Sequence, residues 1–349
     1  MAFRYNGLFA AALVASAGAS LLPATAAPTS VELRGAGSTF AAPLIEAWIK
    51  TRSAVEPGVV IHYNPVGSSA GVHSFVAGDV EFAATDRPLT ADEVSHASGG
   101  VAPLPITAGM VVVPYNLPKV SAPLRLSRET LADIFSGAIH EWNDPKIRAD
   151  NPGVDLPART IALITRREGS GTTFAFTSYL SAISPSFAKA GPGAGDRVDW
   201  PKGAMAVLGN EGVAARIAIT EYSIGYAEYG FAQRLALKTA LLQNRDGGFV
   251  AANADSGAAA LTGAGDGAMP EADHPTVIDP TGVKAYPIVT FSWLLLHKTY
   301  RTPEVVAALR GFVGFGLSSD GQGQGANIGY VALPAAAVER AQMVLRSLQ

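Results

Sequence analysis

Short runs of consecutive apolar residues alternate along this chain with longer stretches in which apolar residues recur every three or four positions. The runs at Val59–Tyr63, Val80–Ala84, Thr107–Tyr115 and Thr160–Thr165 have the length of strands, and Ala285–His297 contains a run long enough for a central one. Helical spacing predicts helices over Ala41–Arg52, Ser127–Phe135, Thr173–Ser181, Glu211–Ile219, Pro303–Phe315 and Pro334–Leu348. In the first of these, Leu44, Ile45, Trp48 and Ile49 share one face, and Pro43 is tolerable in the opening turn. Strands alternating with helices predict the α/β class. Two stretches carry neither period. Ala251–Ala272, rich in Gly, Ala and Asp, reads as a surface loop, and the GQGQG run Gly321–Gly325 as a flexible turn.

The beginning of the chain follows different rules. Arg4 supplies a positive charge, Gly7–Ala19 is apolar and Ala-rich, and Ala24-Thr25-Ala26 fits a small-x-small cleavage site. Residues 1–26 are therefore expected to be a signal peptide cut after Ala26, and the run is short for a membrane anchor. The length of 349 residues predicts about two domains. With no cysteine, disulfides, thiolate metal sites, a Cys nucleophile and a lipid anchor on Cys are excluded. Lys+Arg 26 against Asp+Glu 29 argues against nucleic acid as a partner. The expected product is a soluble protein of the periplasm.

Candidate chemistry lies in three glycine-hydroxyl turns, each just before a helical stretch: Gly35-Ala36-Gly37-Ser38-Thr39-Phe40, Gly67-Ser68-Ser69-Ala70-Gly71 and Gly169-Ser170-Gly171-Thr172-Thr173. Small residues allow close backbone approach, and a helix N-terminus offers unpaired N–H groups and partial positive charge. Any one such turn reads more readily as ordinary N-capping. Three together point to N-termini converging on one anion. None is a P-loop, since no glycine-rich turn ends in Lys, and none is a dinucleotide fingerprint.

Arg166 ends the Thr160 strand, where a guanidinium could grip an oxyanion, or could simply lie on the surface. Asp86 follows the Val80 strand. Beside an anion it makes sense if the ligand has a proton to donate, as hydrogen phosphate does and sulfate does not; otherwise it is a turn residue.

Taken in order, GAGSTFAAPLIEAW, YNPVGSSAGV, VEFAATDRPL, LADIFSGAIHEWND, REGSGTTFAFTSYL, SIGYAEY and YPIVTFSWLLLHK resemble the phosphate-binding proteins of Pst-type ABC transporters, a family of periplasmic solute-binding proteins. The resemblance implies a two-lobe periplasmic binding protein fold of α/β lobes joined by crossing strands, with the ligand cleft between them. Residues 27–105 and 290–349 would form lobe one, and 106–289 lobe two. It implies phosphate contacts at Thr39, Phe40, Ser68, Asp86, Arg166, Ser170, Gly171 and Thr172, with Glu168 behind Arg166. It also implies inorganic phosphate as ligand, a membrane ABC permease as partner, a monomer, and neither cofactor nor metal. The chain departs from the pattern at Glu168, where Asp is usual, at Arg167, which replaces a small residue, at Arg87, an added charge, and at Ala41, where Pro is common.

An enzyme would need a nucleophile, base or metal. Gly169-Ser170-Gly171 is not a nucleophile elbow, and the six His are scattered without an H-E-x-x-H. A secreted phosphatase or esterase, or an anion-binding surface adhesin, are the competing readings. Turnover of an aryl phosphate would favour the first, and function that survives loss of the anion site the second.

Overall fold

The computed structural model describes residues 1–3, 30–264 and 276–349. The proposed signal peptide falls almost wholly outside them, as does the last part of the Ala251–Ala272 stretch. The main sheet has seven strands. Its order is Ala227–Glu228, Val101–Val112, Ile288–His297, Phe82–Thr85, Val31–Gly37 and Val59–Asn64, with Thr276–Ile278 also pairing with Ile288–His297. Val31–Gly37 runs parallel to both its neighbours. Val101–Val112 and Ile288–His297 form a long antiparallel pair, and every residue of the latter is buried. Such continuous burial explains why the segment contains a long apolar run.

Beyond Val112 the chain enters a second sheet, ordered Lys238–Thr239, Pro114–Asn116, Ser223–Gly225, Ala162–Arg166 and Met205–Val207. A three-stranded sheet of Phe249–Val250, Leu241–Gln243 and Arg125–Leu126 completes the strands. The apolar stretch Thr107–Tyr115 thus divides between two sheets. Ala162–Arg166 is parallel to Ser223–Gly225 and Met205–Val207, so its C-terminal end carries Arg166 to the same edge as the following helix N-terminus. In open parallel sheets that edge is where ligands bind.

All six predicted helices are present: Ala42–Val55, Arg128–Ser136, Gly171–Ile183, Gly209–Ile219, Pro303–Gly316 and Ala335–Arg346. Two irregular segments of the sequence turn out to be helical. Ala254–Gly263 is a helix, because Asn253 and Ser256 form a reciprocal capping box, with Ser256 N–H donating to Asn253 Oδ1 at 2.9 Å and Asn253 N–H to Ser256 Oγ at 3.0 Å. The GQGQG run lies inside the helix Ser319–Asn327. Tertiary contact overrides glycine's poor propensity there. Trp48 Nε1 donates to Gly321 O at 2.9 Å, and a Cβ at Gly321 would meet Phe315 O at 2.2 Å. Gln322 Nε2 reaches Ile106 O at 2.9 Å and Gly316 O at 2.8 Å. Among the described residues no helix is long and apolar enough to cross a membrane.

Candidate anion-binding site

The Val31–Gly37 strand ends at Gly37, whose φ of +131° and close approach to Ala84 O leave no room for a side chain. The chain therefore turns sharply at Ser38. Ser38 Oγ accepts from the N–H groups of Phe40 at 3.0 Å and Ala41 at 3.2 Å, which starts the Ala42–Val55 helix. The same oxygen donates to Asp86, lying 2.8 and 2.7 Å from its two carboxylate oxygens. Asp86 stands just past the Phe82–Thr85 strand and is 1 % exposed. It also accepts from Ser292 Oγ at 2.5 Å and Ser68 Oγ at 3.3 Å. Burial pushes the Asp86 carboxyl above its ordinary range, while the hydroxyls of Ser292 and Ser38, the Arg166 charge and the Ser68 hydroxyl oppose that shift.

The third turn lies against the first two. A Cβ on Gly171 would meet Asp86 Cβ at 2.5 Å and Ser68 Oγ at 2.7 Å, so only glycine fits there. Ser170 Oγ accepts from Thr173 N–H at 3.2 Å, capping the Gly171–Ile183 helix. The N–H groups of Gly171 and Thr172, in its first turn, have no intrahelical acceptor. Arg166 is 4 % exposed. Its Nη2 donates to Thr39 Oγ1 at 2.9 Å and its Nη1 to Thr172 Oγ1 at 3.3 Å. The structure therefore gathers Thr39, Ser68, Asp86, Arg166, Ser170, Gly171 and Thr172 into one cluster, drawn from three turns and two strand ends and buried at every member but the half-buried Thr39. Phe40 belongs to the first turn, but its N–H is engaged by Ser38 Oγ. Its ring is fully buried against Tyr330.

Glu168 lies behind the guanidinium. Its Oε1 accepts from Arg166 Nε at 2.8 Å, from Arg166 Nη2, and from Gly209 N–H at 3.0 Å. Shortening it is expected to be tolerated, because the salt bridge can re-form by side-chain rotation. Glu168→Asp should change anion affinity by less than about tenfold, roughly 1.4 kcal/mol. Direct coordination of the anion by Glu168 in a bound structure would refute this.

Arg87 does not join the cluster. Its Nη2 pairs with Glu93 Oε1 at 2.6 Å, its Nη1 with Glu93 Oε2 at 3.0 Å, and its Nε lies 3.1 Å from Asp196 Oδ2. Arg167 is exposed. Counting Arg166 against Glu168 leaves Asp86 uncompensated, so an anion here would be held by hydroxyls and helix N-termini, not by excess positive charge.

Three participants escaped the sequence reading. Ser38 was visible only as one more hydroxyl of its turn. Ser292 had a signal, as one of two hydroxyls, with Thr290, set in a strand that is otherwise apolar as far as Leu296. Asn210 sits at a fourth N-terminus, since the helix begins at Gly209, two residues earlier than the periodicity indicated. Asn210 is fully buried, and its Nδ2 lies 3.0 Å from Thr39 Oγ1 and 3.2 Å from Thr172 Oγ1.

Next to Asn210 is Glu228, also fully buried, whose carboxylate accepts from Gly230 N–H at 2.8 Å and Phe231 N–H at 3.3 Å. Burial raises its pKa to about 8. A carboxyl raised on folding is harmless while both states are protonated, and it lowers stability as pH rises from the unfolded value of about 4.3 toward the folded one. Glu228→Gln is thus expected to gain stability over the wild type between those limits, on the order of a few kcal/mol, with no further change above pH about 8. Thermal unfolding across this pH range checks it, and parallel profiles would contradict it.

Among the described residues no group of three or more His, Cys, Asp or Glu could hold a metal ion. A family model for the PBP superfamily domain matches residues 22–320. The phosphate-binding protein PstS of Pasteurella multocida is 36% identical over 317 residues, covering 89% of this chain and 88% of that one. The PstS of Methanocaldococcus jannaschii is 35% identical over 327 residues, covering 88% and 84%. Among solved structures, a phosphate-binding protein from Stenotrophomonas maltophilia superposes with a TM-score of 0.69 at 19% identity, over 90% of this chain and 94% of that one. A putative phosphate ABC transporter substrate-binding protein with bound phosphate from Clostridium perfringens gives 0.63 at 18%, over 87% and 100%. At that identity the structural likeness concerns the fold, which is the two-lobe α/β architecture of periplasmic binding proteins. By sequence match and fold alike, this chain belongs to the PBP superfamily and, within it, to the family of the PstS phosphate-binding proteins.

Proposed function

We propose that the protein captures inorganic phosphate in the periplasm and delivers it to a membrane ABC permease, acting as a monomer and performing no chemistry on its ligand. The observation that carries this is a buried acceptor, Asp86, set beside Arg166 and the hydroxyls of Thr39, Ser68 and Thr172, one from each of the three turns. A ligand that fits must both accept many hydrogen bonds and donate one, which describes hydrogen phosphate near neutral pH. The ligand would contact Thr39, Phe40, Ser68, Asp86, Arg166, Ser170, Gly171 and Thr172, with Phe40 N–H released from or shared with Ser38. Glu168 would orient Arg166 without touching the anion. Residues 1–26 direct export and are removed. Residues 27–105 with 290–349 move as one lobe and 106–289 as the other, the long antiparallel pair serving as the crossing.

Uptake from medium of low phosphate tests the delivery step. Cells lacking the gene should lose high-affinity uptake, and the wild-type gene should restore it. Restoration by an Asp86→Ala/Arg166→Ala double variant would contradict the proposal and favour a scaffold role.

A further inference from the structure

The proposed function leaves open the polarity of the site's hydroxyls. Thr39 Oγ1 lies within reach of three N–H donors: Arg166 Nη2 at 2.9 Å, Asn210 Nδ2 at 3.0 Å and Asn210 N at 3.3 Å. A hydroxyl has two lone pairs and one proton. With its lone pairs taken by N–H groups that cannot act as acceptors, Thr39 keeps only its proton for a ligand. Among the described residues no acceptor for that proton is seen. Thr172 Oγ1 is in a similar position, facing Arg166 Nη1 at 3.3 Å and Asn210 Nδ2 at 3.2 Å. Its own proton reaches only Asn210 Oδ1, at a long 3.4 Å, an oxygen that also accepts the N–H of Glu228 at 2.9 Å, so a ligand oxygen at ordinary distance would be the better acceptor. That backbone donor also settles which way the amide points, because only the oxygen of Asn210 can receive it. The amide nitrogen must then face the two threonines.

From this we infer that Asn210 is a positioning residue that makes Thr39 and Thr172 obligate donors. The opposite wall has the reverse polarity, since Ser38, Ser68 and Ser292 direct their protons to Asp86. On the reading that the site binds phosphate, the two walls admit one orientation of the ligand. Its unprotonated oxygens face Thr39, Thr172 and Arg166, and its P–OH faces Asp86. Asn210 needs no contact with phosphate to do this. Freed from its amide, each hydroxyl could rotate and present a lone pair to the anion, and binding would first have to turn it back.

A double-mutant cycle separates this role from packing or direct contact. Phosphate is titrated calorimetrically into the wild type, Asn210→Ala, Thr39→Val/Thr172→Val, and the triple variant, after thermal unfolding has shown each to be folded. Asn210→Ser replaces Asn210→Ala should the alanine variant fail to fold. Asn210→Ala is expected to weaken binding about tenfold in the wild type and less than about threefold where both hydroxyls are absent. An equal loss in both backgrounds would overturn the assignment, because Asn210 would then act on the ligand itself or on the fold. No loss in the wild type would overturn it as well. A wild type that takes up no phosphate would instead overturn the reading of the site on which the inference rests.

Discussion

Replacing Arg166 by alanine should weaken phosphate binding by roughly two to four decades. The guanidinium is almost wholly buried, and every nitrogen is engaged: Nε with Glu168, Nη1 with Thr172, Nη2 with Thr39 and Glu168. Truncating one partner of a buried charge pair costs about 3–5 kcal/mol, since the other is left uncompensated. Here two partners are stranded. The bound anion loses its cation, and Glu168, whose Oε2 already lacks a partner, becomes an unscreened negative charge beside it. Arg166→Ala combined with Glu168→Gln should recover part of the loss, because the added repulsion is removed. Arg167→Ala, at an exposed position, and Arg87→Ala, whose guanidinium is held by Glu93 and Asp196, should each cost less than Arg166→Ala. Calorimetric affinities decide it, and an Arg166→Ala value within threefold of wild type would contradict the assignment.

Asp86→Asn should act on selectivity more than on affinity. Phosphate and sulfate share a shape, so neutral donors alone separate them poorly. The carboxylate can accept the proton of hydrogen phosphate, whereas sulfate brings no proton and meets a like charge in a water-poor cleft. Asparagine keeps the outline and can turn its amide N–H toward sulfate. Ser38 and Ser292, which meet at Oδ1, can still donate to its carbonyl oxygen, while Ser68, which meets Oδ2, would have to turn and accept from the amide. Burial raises the Asp86 pKa, so the acceptor form is also the form lost first on acidification. Wild-type affinity should therefore fall as pH drops through that raised value, and the Asn variant should lack this component. Titrating both anions into both proteins at fixed pH and low ionic strength should show a narrowed phosphate-to-sulfate ratio in the variant. An unchanged ratio would make Asp86 a turn residue only.

Much of the site could be read along the chain because its parts are local. Each of the three turns puts small and hydroxyl residues directly before an apolar run, and Asp86 and Arg166 stand at strand ends, where side chains emerge at the ligand edge of a sheet. The polar walls behind them are not local. Ser292 meets Asp86 across 206 positions, and Asn210 meets Thr39 across 171, so neither pairing leaves a mark in spacing. The Ser319–Asn327 helix was hidden for a related reason. Its glycines look like a flexible segment until Trp48 and Leu44 close over them. The boundary between the two main sheets was equally silent, because Thr107–Tyr115 is apolar throughout while the change of partner strands occurs at Val113.

Calorimetric titration of inorganic phosphate into the ligand-free wild-type protein, with sulfate as the matched control, decides whether this is a phosphate site. Saturation is expected at one phosphate per chain, with no heat of binding from sulfate at the concentrations that saturate the site with phosphate. Equal uptake of both anions, or no uptake of phosphate, would contradict it.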